Sequence, residues 1–418
     1  MANSLNNTTF QQFWSRRMQR KHAKEAVYRA IASFEEQTLL KQGDTVHRPY
    51  RSAIIGQSYT RGSSVTIQDL TNTDETLVVN TAEVFPFYID DLDQLQSNYR
   101  FINEFADDAG VQLVNFLDGD VLAEYSNAGS IIDDLVINPS TGTSGNGIQL
   151  DASNVQKIFS AAKARLARKN VAKGGMFAVI TPDVEQVLTD YLSGKNSNLG
   201  DSTSLNGHIG HYYGFDLYRS NNVTWTGKLT IATQPNDADT ITLKTYDIYG
   251  NTVTITFTFK TTLGSTAGNV LIGGSASAAR TNLAALLSAP STTTSTGVKL
   301  STTNLAAMFY GLQFTATDDG VSAVNVTAPG QGFIQVGSNL TASTTDGWVA
   351  AKQIQHLLFG IKGAIDVVIQ ARPTTEIKDV PDKIGKNILP WILYGKKTFT
   401  EGKAKLVDVQ VRTDSYVM

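Results

Sequence analysis

The amino-acid sequence predicts an α+β fold that carries a mostly β inserted domain. Several segments place apolar residues three and four positions apart, which is the period of amphipathic helices. Others alternate apolar and polar residues, as half-exposed strands do. The third observation is a change of composition, because residues 223–347 are rich in Thr, Ser, Gly and Ala and the earlier composition resumes at Trp348. We therefore interpret 223–347 as a domain inserted into the one around it.

The composition excludes several classes of protein. The chain has 418 residues, of which 41% are hydrophobic and 17% charged, so it can bury a substantial core over two or three domains. Cysteine is absent, which excludes disulfides, thiolate zinc sites, iron–sulfur clusters and cysteine nucleophiles. No apolar run approaches the roughly 20 residues that span a bilayer, and the polar, then basic N-terminus is unlike a secretory signal. We therefore expect synthesis in the cytoplasm and no membrane partner.

Charge is distributed unevenly along the chain. Residues 1–48 contain eight Lys/Arg and four acids, whereas residues 49–150 contain three arginines and fifteen acids. No lysine lies between Lys41 and Lys157. Such blocks predict segments that face different neighbours.

Residues 10–42 are predicted to form an amphipathic helix. Its apolar stripe begins with Phe10, Phe13 and Trp14 and continues at helical spacing to Phe34. Because an extended stretch follows, the helix has no nearby core, and we expect the stripe to dock on another subunit. The basic face from Arg16 to Lys24 is equally consistent with a solvated surface and with weak contact to DNA or an acidic protein.

Residues 48–89 are predicted to form a long β-hairpin with a turn at Asn72-Thr73-Asp74. Since an isolated two-stranded hairpin is marginal in water, this one also implies an external surface to lie on. Residues 90–126 follow as helix, capped by Asp90 and Asp91 and broken near Gly110.

The next segments carry strong local signals. We predict a loop at 138–147 and then a helix over 153–169 with a capping box of Ser153 and Gln156. A buried strand at 176–180 precedes a helix that starts at Thr181-Pro182, and another strand covers 214–218.

The second half of the chain reads as mostly β. Residues 253–259 alternate strictly, and one short helix is predicted from Ala278 to Leu287. After the insert we predict a helix and an apolar strand within 348–372, loop and turn over 379–399, and a closing strand at 406–411.

The sequence gives no convincing enzyme, cofactor or metal site. Gly330-Gln331-Gly332 lacks the third glycine of a dinucleotide loop. His208 and His211 have no third ligand nearby. Asp118-Gly119-Asp120 with Glu124 lacks the loop of oxygen ligands that Ca²⁺ needs, and we interpret it as a helix break. A terminal helix and a hairpin without pocket chemistry indicate a structural subunit whose open surfaces are covered by copies of itself.

Four stretches carry a resemblance to a known family. These are the run 48–89, the helix 155–168 with the segment 170–182 after it, the pattern Gly-x-x-Gly-x-x-x-Gly-Phe at 207–215, and Tyr394-Gly395-Lys396-Lys397 before the last strand. In order and spacing the chain resembles the major capsid protein of tailed bacteriophages, which has the Hong Kong 97-type fold.

The resemblance implies the organisation of the subunit. It implies an N-terminal arm (1–47), an extended loop (48–88), a peripheral domain (89–150 and 396–418), an axial domain (151–222 and 348–395) and the insert (223–347). Copies would form pentamers and hexamers of an icosahedral shell around phage DNA, in the virion. A separate scaffolding protein and a portal are the expected partners, the basic arm is a candidate contact for DNA or scaffold, and a decoration protein is a further candidate.

Two departures from the family pattern refine this expectation. Some members cross-link through a lysine on the extended loop, but residues 48–88 contain none, so we expect a non-covalent shell. A cleaved scaffold-like prefix is missing, and we expect no N-terminal processing. The candidate intersubunit contacts are these residues: Phe10, Phe13, Trp14, Arg48, Arg51 and Arg61.

Other functions remain open at the level of sequence. An encapsulin-type nanocompartment shares the fold, although the basic arm and the large insert favour a phage. A tail or surface adhesin with Thr-rich β domains would account for the insert, but the helical first third argues against it. A hydrolase with dispersed catalytic residues is the weakest alternative.

Overall fold

The computed structural model describes residues 24–38, 43–51, 53–96, 101–171, 174–195, 210–247, 249–308, 314–332, 334–380 and 383–412. Helices and strands alternate irregularly, as an α+β fold requires. The helices in the described residues are α1 Tyr28–Ile31, α2 Asp91–Gln96, α3 Phe101–Leu122, α4 Asp134–Ile137, α5 Val155–Arg168, α6 Pro182–Ser193, α7 Ala276–Ser288, α8 Thr302–Met308 and α9 Thr400–Ala404.

The strands form four sheets. In chain order they are β1 Thr45–Arg51, β2 Asn72–Val78, β3 Thr81–Val84, β4 Phe87–Asp90, β5 Ser130–Ile132, β6 Met176–Ile180, β7 His211–Tyr212, β8 Phe215–Arg219, β9 Thr224–Thr230, β10 Thr240–Tyr246, β11 Thr252–Lys260, β12 Asn269–Leu271, β13 Thr315–Asp318, β14 Ala323–Ala328, β15 Gln335–Asn339, β16 Gly347–Trp348, β17 Ile354–Ile361, β18 Asp366–Asp379, β19 Gly385–Lys397 and β20 Leu406–Arg412.

A ten-stranded sheet runs through the centre of the subunit. Its main path is β13-β14-β9-β17-β6-β8-β7, and β20 pairs with β17. Every residue of β17 and β6 is buried, because the apolar faces of α5 and α6 belong to the same core. The predicted strand at 176–180, the helix begun by Pro182 and the closing strand are confirmed.

A second sheet is built on the hairpin of β18 and β19, to which β3 and β4 add in turn. The long helix α3 packs against this hairpin. The prediction of loop and turn over 379–399 is wrong, because 385–397 form β19. The residues of β19 pair with segments about 300 positions earlier, a contact that no local pattern reveals.

The insert has a core of its own and yet shares the central sheet. Strands β10, β11, β12 and β15 form a separate sheet over the apolar side of α7. Strand β9, however, pairs with β14 on one side and with β17 on the other, so the insert extends the central sheet. One predicted helix is confirmed as α7, and the sequence missed α8. The domain boundaries stay a prediction.

The prediction of a continuous helix over 10–42 is wrong for 24–38. Helix α1 has only four residues, and a 3-10 turn covers Glu35–Thr38. Val27, Tyr28 and Ile31 are buried in the subunit's own core, so this part of the apolar stripe is covered without a second subunit. Between the two turns the backbone of Ser33 bonds to Ile365 and Val367 at 2.8 and 2.9 Å, which forces the chain out of helical geometry.

Three further local predictions are corrected. Helix α3 passes through Gly110 without a break, and it also continues through Asp118-Gly119-Asp120. The capping box of Ser153 does not form, since the carboxylate of Asp151 instead accepts the amide hydrogens of residues 153 and 154. The segment predicted as helix within 348–372 is β17, where eight consecutive buried residues favour a central strand.

The predicted hairpin at 48–89 is right in outline. Strands β1 and β2 pair antiparallel from Thr45 with Val78 to Arg51 with Asn72. The proposed turn at residues 72–74 is wrong, because these residues lie inside β2 and the chain turns near Gly62. Residues 83–89 return to the second sheet as parts of β3 and β4.

Candidate subunit interface

The extended loop beyond β1 and β2 presents a group of large, exposed apolar side chains. Ile54 is 81% exposed and Ile67 89% exposed. Four other large side chains on the loop are also mostly exposed: Ile55, Tyr59, Val65 and Leu70. Contiguous exposed apolar side chains of this kind mark an interaction site in a soluble protein.

Two glutamines hold the arms of the loop together in place of a backbone ladder. The amide group of Gln57 donates to the carbonyl of Thr66 at 3.0 Å and accepts from its N–H at 3.2 Å. Gln68 accepts from the N–H of Ile55 at 3.0 Å and donates to the carbonyl of Ala53 at 2.9 Å. The loop therefore has a defined shape although no backbone ladder joins its two arms.

Arg48 at the base of the loop is engaged inside its own chain. Its guanidinium lies 3.1 Å from Asp366 and 3.1 Å from Glu401, and 4.9 Å from the ring centre of Phe399. Burial raises the pKa of Asp366, against the lowering effects of Ser33 and of the arginine. The prediction of Arg48 as an intersubunit contact stays a prediction, but these contacts fix the loop to the body of the subunit.

The other predicted contact residues lie in different surroundings. Arg51 and Arg61 are exposed, and Arg61 stands at the tip of the loop. Phe10, Phe13 and Trp14 lie outside the described residues. The structure thus places the exposed arginines beside the apolar side chains of the loop and leaves the three aromatic residues untested.

A second exposed surface runs along α2 and the first half of α3. Leu95 is 83% exposed, and acidic residues lie between the apolar ones. Its exposed members are Leu92, Asp93, Leu95, Glu104, Phe105, Asp107 and Val111. We call these seven residues the acidic helix face. Beside this face, a groove of about 660 Å³ separates α3 from the hairpin of β18 and β19.

The carboxylate of Asp118 anchors the N-terminal arm to the rest of the subunit. It accepts the backbone N–H of Val27 at 2.8 Å and that of Tyr28 at 2.6 Å. Its second oxygen accepts from the side-chain amide of Asn222 at 2.7 Å. Arm, long helix and the segment just before the insert therefore meet at one side chain, which is itself fully buried.

Lys24 makes a second contact at this junction, between the arm and the insert. Its ammonium donates to the carbonyl of Gly330 in the insert. Although the residue is partly exposed, its amine lies in the interior, where burial lowers the pKa of Lys24 to about 7 against the opposing effect of Asp118. Burial likewise raises the pKa of Asp118, and its hydrogen bonds act in the opposite direction.

The other acids of the proposed helix break also have protein partners. Lys396 lies 2.9 Å from Asp120 and 3.2 Å from Glu124. Burial opposes ionisation of Glu124, but Lys396 and the hydroxyl of Thr398 lower its pKa overall. These carboxylates join α3 and the 3-10 turn after it to β19, a role that sequence spacing did not reveal.

One polar triplet resembles catalytic geometry. The ring of His356 lies 3.0 Å from a carboxylate oxygen of Asp408 and 3.0 Å from the hydroxyl of Thr226, and it stacks on Tyr125 at 3.8 Å. The three residues are on β17, β20 and β9, and the histidine and aspartate are buried. No cavity of those described opens onto them. The triplet ties the insert's first strand to the central sheet.

The remaining histidine candidate does not assemble a site. His211 lies 3.0 Å from Asp216, and His208 lies outside the described residues. No group of three potential metal ligands occurs in the part of the chain that the structure describes. Within the same residues, no helix combines the length and apolar character needed to cross a membrane.

Comparison with known proteins gives matches only at the level of structure. No protein-family model and no curated protein matches the sequence. A structure from Mycobacterium phage Che8 aligns with a TM-score of 0.56 at 13% identity, covering 97% of this chain and 98% of that one. The capsid of the cyanophage P-SCSP1u gives 0.53 at 10% identity, over 96% and 92%. The mature capsid of bacteriophage PhiM1 gives 0.51 at 12% identity, over 96% and 92%.

At such identities the likeness establishes the fold. The alignments cover nearly the full length of both chains. The chain therefore has the Hong Kong 97-type capsid fold, and the predicted fold class is confirmed.

Proposed function

We propose that this chain is the major capsid protein of a tailed phage. Its copies assemble into pentamers and hexamers of an icosahedral shell that encloses the phage DNA, and the protein resides in the virion. The observation that carries the proposal is the capsid fold combined with a protruding loop whose large apolar side chains have no cover within their own subunit.

The loop gives the physical reason for assembly. Each buried Å² of apolar surface contributes about 25 cal/mol. A loop that buries its apolar side chains against a neighbouring subunit therefore stabilises the contact between the two subunits. A two-stranded ribbon such as β1 and β2 gains stability from the same contact. Repeated around a closed ring, modest contacts of this kind produce a cooperative shell.

We place the acceptor for this loop on the acidic helix face of the neighbouring copy. That face offers exposed apolar side chains with carboxylates between them, and the loop offers apolar side chains with Arg51 and Arg61. The two surfaces therefore match in both hydrophobicity and charge. Phe10, Phe13 and Trp14 are proposed as a further contact with a neighbour.

Cohesion of the proposed shell is non-covalent. The loop contains no lysine that could form an isopeptide bond, so buried area must hold the subunits. Obligate interfaces commonly exceed about 2,000 Å², which several neighbours together can supply. The role is structural rather than enzymatic, and a separate scaffolding protein, a portal and a decoration protein are its proposed partners.

Expression of the full chain with its scaffolding protein, followed by electron microscopy, tests the proposal. Replacing Ile54, Ile67 and Leu70 together by serine should abolish shells while leaving thermal unfolding of the subunit unchanged. The matched control replaces Tyr246, Tyr249 and Val321, which are exposed on the insert, and should assemble normally. A wild-type chain that stays monomeric at every concentration, or normal shells from the loop variant, would contradict the proposal.

The arginines and the contents of the particle are tested in the same preparation. Neutralising Arg51 and Arg61 should lower the yield of shells without unfolding the subunit. Particles that hold a cargo enzyme and never DNA would instead support a nanocompartment.

A further inference from the structure

Helix α5 carries an unusually one-sided charge. Residues 152–182 contain six Lys/Arg and no acid. Five of the six lie on or directly after α5: Lys157, Lys163, Arg165, Arg168 and Lys169. We call this set the basic helix face.

Four of the five cations, all but Arg165, are exposed. The buried residues of α5 form the opposite stripe, from Val155 to Leu166, whereas Lys157, Arg168 and Lys169 are exposed. None of the five takes part in the ion pairs found among the described residues. The only side-chain hydrogen bonds described for them go from Lys163 to the carbonyl of Tyr213 at 3.1 Å and from Lys169 to the carbonyl of Gly129.

Like charges are crowded at the end of the helix. Burial, and then the neighbouring Arg165, lower the pKa of Lys169. Cations at a helix C-terminus complement the helix dipole, which accounts for the last two or three of them. The dipole does not account for Lys157, which lies in the first turn, where a positive charge is unfavourable.

The residues between the cations decide which partner fits. They are small, namely Ser160, Ala164 and Ala167. A protein interface needs aromatic or large apolar anchors, which this face lacks. A phosphate backbone needs only regularly placed cations and room to approach.

We propose that the basic helix face binds the phosphate backbone of the DNA enclosed by the shell. The inference rests on the proposed function, and it places the solvent side of α5 toward the interior of the particle. The contact is independent of base sequence, since no side chain of the face is shaped to read a base edge.

Salt-dependent binding of the full chain to duplex DNA tests this assignment. Each phosphate contact contributes about 0.9 to the slope of log K against log salt. Neutralising Lys157, Arg165 and Arg168 to glutamine should therefore lower the slope by about 2.7. Between 50 and 200 mM salt, the wild type should lose about 40-fold more affinity than this variant.

The matched control neutralises Lys244, Lys299 and Lys378, which are exposed elsewhere and should leave the slope unchanged. If the triple variant fails to fold, Lys157→Gln alone should still reduce the slope by about 0.9. Equal slopes for wild type and variants overturn the inference. So does a variant that binds DNA normally but no longer co-assembles with the scaffolding protein, since the face would then serve a protein. If the variants still form normal shells, the proposed function stands whether or not their DNA-binding slopes differ from that of the wild type.

Discussion

Replacing Asp118 by alanine tests the junction of arm, helix and insert. The carboxylate accepts hydrogen bonds of 2.6 to 2.8 Å from the amides of Val27 and Tyr28 and from the side chain of Asn222. Alanine removes both acceptor oxygens and leaves the three donors buried.

The expected cost follows from that geometry. A buried donor that loses its partner costs about 1–3 kcal/mol, so three donors set an upper range of about 3–9 kcal/mol. Relief of burying the carboxylate offsets part of this, because burial already raises the pKa of Asp118. Removing one partner from a buried charged cluster typically destabilises by about 3–5 kcal/mol. We expect a loss of about 3–5 kcal/mol in the free energy of unfolding.

Urea unfolding of the isolated subunit gives the magnitude, and hydrogen exchange at Tyr28 shows whether the arm is released. Asp118→Asn retains an acceptor for the arm and should cost less than alanine. Asp107→Ala, an exposed change on the same helix, should stay within about 0.5 kcal/mol of wild type. A loss below 1 kcal/mol for Asp118→Ala, with Tyr28 still protected, would refute the reasoning.

Three further predictions concern the charge of Lys24, two glycines and the insert. Burial lowers the pKa of Lys24 to about 7, so the unfolded chain binds this proton more tightly than the folded one. Stability should therefore rise from pH 7 to 9 in wild type, and Lys24→Met should lose that gain in urea midpoints. A Cβ on Gly227 would lie 2.3 Å from the ring of Trp225, so Gly227→Ala should lower the free energy of unfolding by about 1–3 kcal/mol. Gly110 lies in mid-helix with open space around it, so Gly110→Ala should raise that free energy by up to about 1 kcal/mol. Thermal unfolding of the two variants measures both effects. Deleting the entire insert removes β9 from the central sheet and should yield an insoluble subunit, a result that a soluble, folded deletion variant would contradict.

The elements that the sequence predicted correctly are those whose signals are local. Helix α6 begins at a proline and shows a single apolar face, and β6 is a short, wholly apolar run. In both cases the burial pattern within the element repeats the sequence pattern. Local periodicity was enough because each of these elements packs against one common core.

Strand β19 shows why other elements were missed. It contains Pro390, which argues against a strand, and apolar residues on both faces hide the alternation. The strand is nevertheless paired on both sides, and the carbonyl of Pro390 accepts from Phe85 at 3.0 Å. The evidence for β19 therefore lies in its partners, which are distant in the sequence.

The same limit applies to the candidate interface. The extended loop could be predicted as a surface in need of a partner, because a hairpin of that length cannot bury its apolar residues. Asp118 was assigned to a helix break, and its role as an anchor was missed because its partners are about 90 and 104 positions away on the arm and before the insert. The basic helix face was present as a run of cations, but only the fold shows that Lys157, Arg165 and Arg168 share a side of α5.

The insert joins the rest of the central sheet at the ladder between β9 and β17, which we call the seam. This ladder is short, and side chains reinforce it. Strand β9 pairs with β14 at six positions but with β17 at only three. His356 adds a bond across this seam to Thr226 while Asp408 fixes its ring from β20. Lys24 adds a second link, from the arm to Gly330. Because polar side chains supply what the short backbone ladder lacks, the insert is held to β17 and to the arm as part of the subunit body.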